Sequence, residues 1–230
     1  MNKMRPHATL PLRGETRKGF TLVEVLTVMA IIAILMAAGA IGLGNINAGK
    51  GTSSALSSCE ALFEEARTIA VSKRCKARVM VLAANPTKET YLQRVVIVYQ
   101  ELNADGTVKP DSWIIASRAY DMPKSTYFSY QYSKLEPSGK IPEYTLSTSK
   151  TDYAGKYYCY EFNAEGIINN PGSSFVIGAG VRPKGQEPKT TPSAKRDFAG
   201  FVIWRNGRTS SYHSPAQIAG LPNSDKPFNF

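Results

Sequence analysis

Lys18-Gly19-Phe20-Thr21-Leu22-Val23-Glu24 opens the stretch that decides this chain. Behind it an apolar run extends to Leu43, with Glu24 as its one charged residue and no proline. About 24 residues of that kind suffice to cross a hydrocarbon core of roughly 30 Å as a helix. The run therefore predicts a membrane-spanning helix over 20–44. A carboxylate held in lipid is costly, so Glu24 calls for a partner. Ahead of the Gly-Phe junction, Lys3, Arg5, Arg13, Arg17 and Lys18 face one acid, Glu15. This basic flank predicts that residues 1–19 stay on the cytoplasmic side while the rest is sent outward. An ordinary signal anchor with Glu24 at the water interface has the same gross layout. It does not require a Gly-Phe junction directly after a basic pair.

That order of residues closely resembles the type III signal of the type IV pilin family, which includes the pseudopilins of type II secretion. In that family a prepilin peptidase cuts after the glycine and methylates the new N-terminal residue. The resemblance implies that residues 1–19 are a removed leader, that the scissile bond joins Gly19 to Phe20, and that Phe20 is N-methylated. It further implies that Glu24 pairs with the N-terminal amine of a neighbouring subunit during assembly. In a low dielectric such a pair offsets its own desolvation only when well aligned. Glu24 is then a register device rather than a source of net stability.

Outward from this helix, Asn45 to Thr52 is small, polar and rich in glycine, and predicts a flexible start to the next segment. Leu56, Cys59, Leu62, Phe63, Ala66, Ile69 and Ala70 then recur at spacings of three and four, an apolar stripe that predicts an amphipathic helix within 45–74. Residues 75–230 read as strands and turns. Strands are expected at Ala77 to Ala83, Arg94 to Gln100, Trp113 to Tyr120, Ser125 to Tyr132, Tyr157 to Asn163, Ser174 to Ile177 and Phe198 to Arg205. Asn206-Gly207 before Arg208 to His213 signals a final hairpin. Residues 133–156 and 182–197 are polar and are expected as exposed loops. The fold class is α+β, a long N-terminal membrane-spanning and amphipathic helix packed on an antiparallel β-sheet, which is also the pilin-like architecture.

The resemblance narrows further. Phe63-Glu64-Glu65-Ala66-Arg67-Thr68-Ile69-Ala70-Val71 before the strand Arg78-Val79-Met80-Val81 is similar to the GspH/FimT branch of minor pseudopilins and minor pilins. Phe162-Asn163-Ala164-Glu165-Gly166 and Val202-Ile203-Trp204-Arg205-Asn206-Gly207-Arg208 fit the same branch. The two polar insertions depart from it. The chain also resembles the Verru_Chthon cassette D proteins.

The 230 residues hold enough material for one globular domain besides the membrane segment. Of a formal charge of +10, a good part sits in the leader, which leaves a moderately basic remainder. Arg182, Lys184, Lys195 and Arg196 form a basic stretch that would touch nucleic acid if clustered, although a solvated loop explains it as well. Cys59, Cys75 and Cys159 cannot all pair with one another. A helix over 52–74 would separate Cys59 from Cys75 by about 24 Å at ~1.5 Å per residue. A Cys75–Cys159 bridge remains open in an oxidising exterior.

No His/Cys spacing suggests a metal, and His213 is the one histidine beyond the leader. Glu64 and Glu65 are adjacent on a helix and point apart. Ser210, Ser211, His213 and Ser214 sit in a serine-rich hairpin without a third triad member. Gly178-Ala179-Gly180 lacks the following helix that a phosphate loop needs. The chain is accordingly read as non-enzymatic, with no cofactor.

The expected role is a structural minor pseudopilin of a type II secretion pseudopilus, single-pass in the bacterial inner membrane with its C-terminal domain periplasmic. The alternatives are a minor pilin of a type IV pilus, active in adhesion or DNA uptake, and, from another class, an anchored periplasmic enzyme. The resemblance implies as partners the prepilin peptidase, other pilin-like subunits, an inner-membrane assembly platform and membrane lipid.

Overall fold

A computed structural model describes residues 22–135, 139–190, 197–222 and 227–230, and within its first helix it leaves the side chains of 34–50 undescribed. The chain divides into two compact units, residues 1–43 and 44–230. Helix α1, Leu22–Lys73, contributes to both. No proline interrupts it. In the first unit, its described apolar residues Leu22, Val23, Val25, Leu26, Val28, Met29, Ile31 and Ile32 are all exposed, by 45–77%. Among the described residues no helix is long and apolar enough to cross a membrane. The expected span over 20–44 lies only partly within the residues whose side chains are described.

In the second unit the backbone of 45–52 is helical, where the glycines predicted a flexible joint. Glycine weakens an isolated helix by about 1 kcal/mol relative to alanine. Tertiary packing supports the far end of this stretch, since Thr52 is buried and a Cβ on Gly51 would stand 3.5 Å from Thr126 Oγ1. The helix stops where Arg74 turns left-handed (φ 52°). There Arg74 N–H donates to Val71 O and Cys75 N–H to Ala70 O, at 3.4 and 3.2 Å. This is a Schellman ending built on arginine instead of glycine.

Among the described residues ten strands follow: β1 Ala77–Leu82, β2 Arg94–Leu102, β3 Val108–Ile115, β4 Tyr120–Asp121, β5 Thr126–Phe128, β6 Glu143–Leu146, β7 Gly155–Phe162, β8 Ser173–Ala179, β9 Phe198–Ile203 and β10 Thr209–Ser211. They form two antiparallel sheets, in the orders β3-β2-β1-β7-β6, with β4 also on β2, and β10-β9-β8-β5. The architecture is α+β, helix on antiparallel sheet.

Several strand expectations need correction. The strand expected at Trp113 to Tyr120 starts earlier, at Val108, and ends at Ile115. Pro110 is tolerated there because β3 is an edge strand. The aromatic run Ser125 to Tyr132 is strand only at Thr126–Phe128. The segment 133–156 is not merely an exposed loop: it contributes β6, a 3-10 turn at Thr151–Tyr153 and the start of β7, and it buries Leu135, Ile141 and Leu146. Residues 182–190 are anchored as well, through bridges of Lys189 to Val181 and to Asn229.

Of the expected stripe on α1, Cys59, Phe63, Ala66 and Ala70 are fully buried against the sheets, and Leu56, Leu62 and Ile69 flank them half-buried. Phe63 sits edge-on to rings from both sheets: Tyr160 and Phe162 of β7, Phe175 of β8 and Phe201 of β9. Strand β1 buries apolar side chains on both faces. Val79 and Val81 join this core, whereas Met80 and Leu82 join a second cluster with Val96, Val98, Tyr157 and Cys159.

That arrangement removes the Cys75–Cys159 bridge, and all three cysteines are free and buried. Cys159 lies opposite Met80, five residues along the chain from Cys75. At about 3.3 Å per residue the separation is roughly 16 Å, far beyond the ~7 Å a disulfide spans.

Candidate functional site

The assembly segment begins at the edge of the described residues. Gly19 and Phe20, the expected cleavage and methylation positions, lie outside them. Glu24 lies in the first turn of α1 and is exposed. A carboxylate there complements the positive end of the helix dipole. One turn further on, Thr27 Oγ1 lies 2.8 Å from Val23 O and 3.0 Å from Glu24 O, so its hydroxyl is satisfied by the helix itself.

At the other end of α1, three separate sequence matches converge on Arg67. The turns Asn163–Gly166 and Trp204–Gly207 each close on a left-handed glycine, with φ of 74° and 76°. A Cβ on Gly166 would lie 3.2 Å from Arg67 Cγ, and one on Gly207 2.6 Å from Arg67 Cδ and 2.7 Å from Gly166 O. The Arg67 stem thus fills the space above two glycine turns, one from each sheet, while Nη1 pairs with Glu64 at 3.3 Å. Its Nε is buried without a partner. This is a packing joint between helix and sheets, and the Glu64-Glu65 carboxylates have no shared chemistry in it.

Of the basic stretch, Arg182 and Lys184 fall within the described residues. Arg182 Nη2 donates to Glu89 O at 2.9 Å, and the guanidinium lies 6.0 Å from the centre of the Tyr91 ring. Lys184 is exposed, and Lys195 and Arg196 lie outside the described residues. Nearby, the hydroxyls of Tyr91 and Tyr130 donate to the two oxygens of Glu187 at 3.0 and 3.3 Å. Burial and that carboxylate raise both phenols above their ordinary value.

The other sequence candidates resolve into structure. Trp204 Nε1 donates to Ser210 Oγ at 2.8 Å and Ser211 to Glu60, while His213 N–H donates to Gln217 at 2.6 Å. Gly178 and Gly180 exist for packing: a Cβ on either would fall within 2.8 Å of the buried Phe230 ring. Burial pushes the Cys159 thiol up to about 12, so it is not a thiolate nucleophile at neutral pH. Among the described residues no group of side chains could hold a metal ion.

One constellation was not anticipated. On the face of the first sheet away from α1, the Arg78 guanidinium lies 3.8 Å from the Trp113 ring centre and 4.1 Å from that of Tyr144. The two rings come from opposite edge strands, β3 and β6, and meet over the central β1. Glu161 holds the arginine at 2.6 Å and Lys76 at 3.1 Å, and Asn169 donates to it at 2.7 Å. Burial raises the Glu161 carboxyl, but the Arg78 and Lys76 cations outweigh it and hold it below its ordinary value. Beside this sandwich opens a cleft of about 320 Å³. A lone arginine inside the apolar run Ala-Arg-Val-Met-Val-Leu was the available signal. The rings that cover it lie 35 and 66 positions further along the chain.

Comparison with known proteins places one similarity at the N-terminus. Residues 16–40 match the prokaryotic N-terminal methylation motif. No curated protein matches the chain. Among solved structures, the type IV minor pilin FimU of Pseudomonas aeruginosa is similar at 17% identity and a TM-score of 0.38, over 72% of this chain and 96% of its own. The minor pseudopilin EpsH from the type II secretion system of Vibrio cholerae is similar at 14% identity and a TM-score of 0.37, over 71% and 94%.

Proposed function

We propose that this chain is a structural, non-enzymatic subunit of a pilin-like filament, and within that class a minor pseudopilin of a type II secretion pseudopilus. The observation that carries the reading is the methylation motif over 16–40 running directly into α1, where every described apolar residue from Leu22 to Ile32 is exposed. A helix apolar on all sides is stable in water only when something covers it. Lipid covers it before assembly and the helices of neighbouring subunits cover it afterwards. On this reading the leader 1–19 is removed by a prepilin peptidase, Phe20 becomes the methylated N-terminus, and the folded unit stands on the periplasmic side of the inner membrane. Glu24 then compensates the amine of a neighbouring subunit.

Mass spectrometry of the membrane fraction tests the reading. Cells with a prepilin peptidase should yield a chain starting at N-methyl-Phe20, and Gly19→Leu should leave a longer, uncut species. A mature N-terminus elsewhere overturns the proposal. Deleting the gene in its native host tests the finer assignment, since secretion should fail while piliation persists. The reverse outcome replaces the pseudopilin with a type IV minor pilin.

A further inference from the structure

The cleft over the first sheet has a chemistry of its own, unconnected with the assembly helix. We propose that it is a binding site for a neutral carbohydrate, of the size of one sugar residue. At about 320 Å³ it lies at the small end of ligand pockets, which run from roughly 300 to 1,000 Å³.

Its lining combines the two surfaces a sugar presents. Met80, Trp113 and Tyr144 supply apolar and aromatic area, and Asp111, Thr145 and Ser147 supply polar groups. Trp113 and Tyr144 each have one face on the Arg78 guanidinium. Tyr144 is 41% exposed, which leaves ring surface open to a ligand's C–H groups. Asp111, Thr145 and Ser147 are exposed, so their polar groups are open to a ligand in exchange for water. Asp111 is an acceptor, and the two hydroxyls donate and accept, a set that matches vicinal sugar hydroxyls.

Charge favours a neutral ligand. Arg78 and Lys76 are both engaged by Glu161, and Asp111 supplies the second negative charge, so the neighbourhood is balanced. An anion would have to compete with Glu161 for Arg78, and a cation would find Asp111 alone beside a positive pair.

The test uses the full chain in a detergent without a sugar headgroup. Trp204→Phe makes Trp113 the one tryptophan of the chain, which has two. Its emission is followed during titration with glucose, N-acetylglucosamine and cellobiose, and separately with tetralysine and N-acetylneuraminic acid. At least one neutral sugar should give a saturable change in the millimolar range. Asp111→Ala and Ser147→Ala should each weaken it at least tenfold with unchanged circular dichroism. No saturable response to the three neutral sugars, a response confined to tetralysine or to the acidic sugar, or an unchanged response in both variants overturns the proposal. This readout does not depend on filament assembly, so its failure leaves the subunit assignment standing.

Discussion

Phe63→Ala is the most demanding test of how this chain holds together. The ring is fully buried on α1 and lies 5.2 Å from Tyr160, 5.4 Å from Phe175, 5.1 Å from Phe201 and 6.2 Å from Phe162, all edge-on. Two of those rings belong to the first sheet and two to the second. Truncating a buried phenylalanine costs about 3–5 kcal/mol, the upper end applying where the site cannot collapse. Here the surrounding rings are fixed by strands in two different sheets, so collapse would require both to move. The expected loss is therefore about 4–5 kcal/mol. At about 2–4 °C per kcal/mol for a domain of this size, Tm falls by roughly 8–20 °C. Phe63→Leu keeps most of the volume and should lose less than half as much. Urea denaturation of a fragment beginning at Thr52, followed by far-UV circular dichroism, measures both. A loss below about 1 kcal/mol for Phe63→Ala would refute the claim that this ring joins helix and sheets.

Three further outcomes follow from the same contacts. Gly207→Ala forces a side chain onto a φ of 76° and to 2.6 Å from Arg67 Cδ, and should cost roughly 2–4 kcal/mol in the same denaturation assay. The Glu161 carboxyl is held below its ordinary value near 4.5, so its contribution is fully present above that pH and is lost as pH falls through the folded value. Acid titration of stability should accordingly show a steeper decline below about pH 4.5 in the wild type than in Glu161→Gln. Glu24→Ala should leave processing and membrane insertion intact while reducing crosslinks to other pilin-like subunits in native membranes; equal crosslinking would remove Glu24 from assembly.

What this sequence determined by itself is what depends on near neighbours along the chain. The apolar stripe from Leu56 to Ala70 repeats with the helical period, and Cys59, Phe63, Ala66 and Ala70 at its centre are buried. The β-branched runs at Ala77 and Arg94 declared strands, and Asn206-Gly207 declared a turn, because backbone preference and local side-chain spacing act over a few residues. The methylation motif is local in the same sense, a contiguous pattern with no need of a fold. Pairing was decided elsewhere. β1 lies between β2 and the distant β7, and the division into two sheets depends on contacts that no local period encodes. β6 was hidden in a polar segment because its strand character comes from pairing with β7 and burying Leu146. The helical backbone through 45–52 likewise defied its glycines, supported at its end by the burial of Thr52. The Trp113–Arg78–Tyr144 sandwich is the extreme case. Its members come from three strands of one sheet, and only the closing of that sheet brings two edge aromatics over a central arginine.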